Sequence, residues 1–587
     1  MRHHHSGGDA LLLLSRTIRF FGELLAMQVR FTVLFLLLSL LSISTAETAH
    51  KHTGDYVRLP GTAVAAIQKI DPERVRAHVR YLSHDLLEGR GTGQRGGDIA
   101  AEYIGTQFAL YGLKPAGDNG TYLQKVPMVG ITPAPETTFS LVSSNGTVDM
   151  KSLDQYVAYD QTQQPQSDVD AQIVYVGYGI ETPEYKWDDY KGADVRGKVL
   201  LMLVNEPPSD DENFFKGKAL TYYGRWTYKY EEAARRGAVG AILIHQTEMA
   251  SYPWEVVRNS NSGEKSYLKL DGTPKLKVAA WVQLDVAKQM AATAGMNIDK
   301  MMADARSRDF HPVTLPVKLK AHMVSRIRPF ESNNVLAMLP GSDRKLNAEA
   351  VMYTAHYDHL GIRPDMPGDN IYNGANDNAT GCGILLEIAR AYSEAASKPR
   401  RSVLFASVTA EEQGLLGSEY LGKHPPVLAS KISLDLNYDD VPPLGSPEEV
   451  EVSGSERTTF YPVIKATAKT FRLTIRPDAR PEAGHYYRSD HFSLARVGIP
   501  SFSINEGVKY KGHDTAWGLE QAEEYTSKHY HQPSDEYHSS MDFTGDAVMA
   551  RFGFALGWEA ASQPRLVGWR KGDEFEPARM KSVSGAQ

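Results

Sequence analysis

One cysteine in 587 residues excludes an internal disulfide framework, so the fold must rest on core burial alone. That residue, Cys382, opens a helix-like run in Thr-Gly-Cys-Gly and reads as a small packing residue, not as a thiol nucleophile. The net charge is −7 with no basic cluster, which argues against nucleic acid as a partner. The Gly-rich stretch from Glu88 to Gly97 lacks Gly-Lys-Ser/Thr, and no apolar strand leads into it. It reads as a loop, not a phosphate cradle. Internal repeats and low-complexity tracts are absent as well.

The apolar run at residues 31–43 falls short of the ~20 residues that a membrane span needs. It follows Met27-Gln-Val-Arg and precedes Ser44-Thr45-Ala46, which is the layout of a secretory signal cleaved after Ala46. Residues 1–26 read as an extension ahead of the true start at Met27. The expected protein is exported to a periplasm or the medium and keeps no membrane span.

Apolar content of 42% and charge of 23% are ordinary for a globular protein, and the length calls for two or three domains. Asp71-Pro72-Glu73 is a helix start, with Asp as cap and Pro at the first helical position. Residues 99–111 form a second helical stretch, closed by Gly112. From about residue 155 the texture changes to buried strands at 171–179, 197–204 and 238–245, with a helix at 230–237. From Glu331 the pattern becomes α/β, with strands at 350–355, 403–408, 432–436 and 501–504 and a helix at 380–396. Open α/β sheets place their sites at the C-terminal ends of such strands.

Chemistry-bearing residues gather at those ends. His356 stands in Thr354-Ala-His-Tyr-Asp-His359, with Asp358 two residues on to accept the second ring N–H. Asp377 precedes a helix in Gly374-Ala-Asn-Asp-Asn-Ala-Thr-Gly381; Asn378 can cap that helix and leave Asp377 free to bridge two cations. Glu411 and Glu412 follow a buried strand, and neighbouring side chains on near-extended backbone point apart. One glutamate can therefore ligate a metal while the other holds a water. Asp435 lies on the strand in Leu434-Asp-Leu-Asn437, with Asp439 and Asp440 as competitors in the following loop. His531 follows Tyr530 and precedes Pro533 and Asp535, with His529 as its rival. A His/Asp/Glu/Asp/His set is the donor inventory that two zinc ions with one shared carboxylate require.

These islands, with Ser489-Asp490-His491 and Gly498-Ile499-Pro500, resemble the co-catalytic zinc aminopeptidases of the bacterial leucyl-aminopeptidase and aminopeptidase-Y type. Residues 155–315 resemble a protease-associated domain inserted into that peptidase. The resemblance implies an α/β fold: a three-layer α/β/α mixed-sheet metallopeptidase domain with an inserted, smaller β-rich module. The implied divisions are 1–46 (extension and signal), 47–154, the insert at 155–315, the catalytic part at 316–570, and a flexible tail at 571–587. It further implies two Zn2+ per chain. His356 and Asp435 would hold one zinc, Glu412 and His531 the other, and Asp377 would bridge them. Glu411 would be the general base, with Tyr530 stabilising the oxyanion and Asp358 supporting His356; His359 has no assigned part. The implied reaction is release of N-terminal residues from peptides. Three other readings are a carboxypeptidase or dipeptidase, for which Arg488 could hold a substrate carboxylate, a glutaminyl cyclase-like enzyme, and a binding protein with a decayed site. N-terminal sequencing of the exported protein is expected to start near Glu47, and a mature chain that keeps residues 1–26 contradicts the signal reading.

Overall fold

The computed structural model describes residues 59–364, 366–478 and 480–585. The signal-peptide reading lies outside these residues. Among them, no helix is long and apolar enough to cross a membrane.

The catalytic half is built on a sheet whose strands run in the order Ser501–Ser503, Ile432–Asn437, Ala350–His356, Ser402–Val408 and Val313–Leu339. The first four are mutually parallel, and Val313–Leu339 pairs antiparallel with Ser402–Val408. All seven residues of Ala350–His356 are buried, as expected of a parallel strand covered on both faces. Val351, Tyr353 and Ala355 face a core shared with the helices Pro72–Leu82, Gly381–Glu394 and Thr544–Ser562. Ala350, Met352, Leu404 and Ala406 face the other way, against Leu421 and Leu494 of the helices Leu416–Lys423 and His491–Arg496. The result is three layers, helix on sheet on helix. Asp71 caps its helix as its sequence suggests, its carboxylate accepting the Glu73 N–H at 3.0 Å. Cys382 is buried, with its Sγ 3.1 Å from the His356 carbonyl.

A second set of strands follows Val313–Leu339 in the order Gln166–Tyr175, Val199–Leu203, Gly240–His245, Val278–Gln283 and Tyr156–Tyr159. Its central strands are parallel, and both faces carry apolar clusters, with Ile173, Leu201 and Ile242 on one side and Leu200, Leu243 and Trp281 on the other. This sheet reaches back to Thr138–Ser143 and Gly146–Asp149, ahead of the boundary expected at residue 155. The strand Val313–Leu339 was not foreseen as a unit. It pairs with Gln166–Tyr175 in its first half and with Ser402–Val408 in its second, so one length of backbone belongs to both sheets.

The expectation of a flexible tail is corrected. Arg457 forms ion pairs with Asp573 at 2.8 Å and Glu574 at 2.7 Å, and Phe575 is buried against Tyr486 and Trp569. A helix Glu576–Ser584 follows, and Arg579 donates to the Ala429 carbonyl at 2.7 Å. Polar composition hid a segment anchored by one aromatic side chain and two acids.

Candidate metal centre

His356 ends its strand, Glu411 and Glu412 follow the end of the next, and Asp439 lies two residues past the end of Ile432–Asn437. Parallel strands that stop at one edge bring these side chains together. The His356 ring is buried, its Nε2 3.0 Å from Asp439 Oδ1 and 3.3 Å from Asp377 Oδ1. On the other side of Asp377, His359 Nδ1 lies 2.6 Å from Glu412 Oε1. His531 Nε2 lies 3.2 Å from Asp377 Oδ2 and 3.1 Å from Glu412 Oε2. Two groups therefore form, His356/Asp377/Asp439 and His359/Asp377/Glu412, with ligand atoms within 4.8 Å of one another in each. Asp377 is common to both. The imidazole and carboxylate donors fit a divalent cation of zinc type, and the shared carboxylate fits a pair.

Asp435 does not join them, which corrects its expected part as a ligand. It sits inside its strand, fully buried, and accepts a hydrogen bond from Thr354 Oγ1 at 3.1 Å. Asp439 has the same alternation parity but lies beyond the strand end, where the chain opens onto the site. Reach past the sheet edge separates these two aspartates; strand membership does not.

A second correction concerns Asp358. The His356 Nδ1 contacts the Asp358 main-chain oxygen at 3.2 Å, while the carboxylate is 3.9 Å away. The Asp358 side chain instead accepts from Thr92 Oγ1 at 2.8 Å and from the Glu411 N–H at 3.1 Å. It thus ties the Gly-rich loop to the Glu411 backbone. Tyr530 is 41% exposed, and its ring stacks on His531 at 3.9 Å. His531 itself adopts φ 57°, a left-handed conformation rare outside glycine and common where function imposes it.

Electrostatics sort the acids by neighbour. Burial alone would push Asp377 up, but the imidazoles of His359, His356 and His531 overcome it and hold the carboxyl well below its usual range. Glu412 behaves alike: burial and Asp377 raise it, yet His531 and His359 bring it down to about 2. Glu411 goes the other way. Burial, reinforced by Asp439, Glu412 and Asp490, drives it well above the ordinary carboxylate value despite His356. Two adjacent glutamates therefore have opposite proton affinities, one suited to ligation and one to proton transfer.

Two supporting residues escaped the sequence reading. Asp535 receives the Asn376 N–H at 2.9 Å and the Asp377 N–H at 3.0 Å, fixing the loop that carries the shared carboxylate. Its position four residues after His531 was the available signal. Arg90, inside the Gly-rich loop, is 1% exposed and donates to the carbonyls of Tyr357 at 2.7 Å, Leu82 at 2.6 Å and Gly374 at 2.8 Å, and also to that of Asn373. It staples the backbone behind His356 to the backbone ahead of Asp377. No local pattern marks such a residue.

Residues 334–552 match peptidase family M28. Leupeptin-inactivating enzyme 1 of Streptomyces exfoliatus is 30% identical over 190 residues, 31% of this chain and 42% of the relative. A probable zinc metalloprotease of Pyrenophora tritici-repentis is 33% identical over 137 residues, 22% of this chain and 26% of the relative. The chain thus spans less than half the length of these curated relatives. Among solved structures, an aminopeptidase from Aneurinibacillus sp. strain AM-1 aligns with 86% of this chain and 98% of its own, at 19% identity and a TM-score of 0.48.

Asp439→Asn is expected to weaken zinc binding about 10- to 100-fold or more, whereas Asp435→Asn should leave it within about twofold, as read by equilibrium dialysis. Arg90→Met should cost at least ~3 kcal/mol in chemical denaturation, because several buried carbonyls lose their donor at once.

Proposed function

From the family M28 peptidase region that this chain carries over residues 334–552, we propose a zinc-dependent exopeptidase. Most specifically, it is an exported aminopeptidase that releases N-terminal residues from peptides. The observation that carries the reading is Asp377, shared between two imidazole-carboxylate groups, beside a glutamate that belongs to neither. His356, Asp377 and Asp439 would hold one zinc. Glu412, His531 and Asp377, with His359 alongside, would hold the other. The second sheet, taken as a protease-associated module, belongs to the same proposal.

Bound zinc supplies Lewis acidity, which polarises a scissile carbonyl and acidifies water. The chain's own residues do the rest. Glu411, with its raised proton affinity, accepts a proton from the attacking water and returns it to the departing amine. Asp358 fixes the Glu411 backbone through its N–H, so the base is held in place while its carboxyl stays free. Tyr530 donates to the oxyanion that develops on the carbonyl. Asp535 and Arg90 keep the loop of Asp377 from relaxing when like charges crowd it.

Glu411→Gln tests the proton-transfer role. The variant is expected to retain its zinc by elemental analysis and to lose ~10²–10⁴ in kcat toward aminoacyl-nitroanilides. Wild-type turnover would remove Glu411 from that role, and absence of zinc from the wild-type protein would favour a binding protein over an enzyme.

A further inference from the structure

Two guanidinium groups meet in one cleft without a countercharge. Arg225 lies between the turn Tyr222–Gly224 and the helix Trp226–Arg235, in the chain that builds the second sheet. Arg488 follows the turn His485–Tyr487 in the catalytic half, two residues before Asp490. Both line one cleft, together with Asn205, Tyr252 and Glu482. The Nε atoms of both are buried with no hydrogen-bond partner. Among the described residues neither side chain forms an ion pair, and Glu482 stays beyond that distance from each. The Arg488 guanidinium carbon stands 6.0 Å from the centre of the Tyr252 ring.

That arrangement is unfavourable as it stands. Burial and the neighbouring Arg488 charge bring Arg225 down to about 10, while Tyr252, Tyr222 and Glu411 pull it back up. Two cations in a low-dielectric cleft repel each other, and their buried N–H groups go unmet. An anion between them removes both penalties. The free space is about 20 Å³, the room of one or two oxygen atoms and too little for a side chain. Planar N–H forks facing so small an opening match a carboxylate. Ser489, next to Arg488, accepts from Asn437 Nδ2 at 2.7 Å, and Asn437 ends the strand that leads to Asp439, so the turn carrying Arg488 is tied to the metal centre.

We propose that Arg225 and Arg488 form a carboxylate subsite near the metal centre, and that it takes the free C-terminal carboxylate of a short peptide, narrowing the substrates to di- and tripeptides. The proposal rests on the peptidase reading above and specifies its substrate class. It also gives the second sheet a part in substrate selection, since one of the two arginines comes from there.

The test uses the full zinc-loaded chain with Leu-Leu, its C-terminal amide Leu-Leu-NH2, and Leu-Asp-NH2, whose only carboxylate is a side chain. Wild-type kcat/KM should favour Leu-Leu over its amide by on the order of 10- to 100-fold, mainly through KM, as expected for hydrogen bonds to a charged group. R225M and R488M should each bring that ratio close to one, and R488K should restore part of it. A wild-type ratio near one, or a ratio that both variants leave unchanged, overturns the subsite. A preference for Leu-Asp-NH2 over Leu-Leu-NH2 that exceeds the preference for Leu-Leu overturns the terminal-carboxylate assignment in favour of an acidic side chain. Calorimetry with unhydrolysed D-Leu-D-Leu and its amide reads the same contrast without variants or turnover. If no peptide is cleaved yet the free acid still binds more tightly, the peptidase reading fails and the subsite stands; equal binding sinks the subsite.

Discussion

Everything at this centre depends on keeping carboxylates crowded where water cannot separate them. Asp358, Asp377, Glu412 and Asp439 converge within a few ångströms of three imidazoles, with Asp535 behind the Asp377 loop, and most of them are buried. Left to themselves these groups would protonate or push their loops apart. The fold resists both outcomes with main-chain geometry. Asp535 grips two successive N–H groups of the Asp377 loop, Asp358 grips the N–H of Glu411, and Arg90 gathers carbonyls from both sides of the cluster. Acids are thus held by backbone donors and the backbone by a buried cation, which leaves the clustered oxygens facing one another. Such a centre is poised for cations rather than relaxed without them.

The opposite behaviour of Glu411 and Glu412 follows from the same frame. They are adjacent in sequence and differ in which neighbours they meet. Glu412 turns towards His359 and His531, which hold its carboxyl down. Glu411 meets Asp439 and Asp490 and holds its proton more tightly. Backbone pointing, set where the strand Ser402–Val408 ends, produces the division of labour.

Much of this was legible in the sequence, and what escaped did so for definable reasons. Strands of the catalytic half could be placed because each is a short apolar run closed by a polar island, and His356, Asp377, Glu412 and His531 stand in such islands. The choice between Asp435 and Asp439 could not be made from alternation, because both fall on the same face; only the place where the sheet stops separates them. Arg90 carries no local signal, since its partners lie far away in sequence and are main-chain carbonyls, which any residue provides. The 27-residue strand Val313–Leu339 was invisible as one element because its burial changes character midway, where it leaves one sheet for the other. The tail was misjudged by composition: Phe575, Asp573 and Glu574 secure it among otherwise polar neighbours.

The segment around Glu574 also reaches the cleft. Glu574 receives the Tyr487 hydroxyl at 2.6 Å, and Tyr487 immediately precedes Arg488. The same carboxylate pairs with Arg457 at 2.7 Å. One acid thus couples the seating of its own segment to the placement of the cleft arginine, and a neutral side chain there would loosen both together.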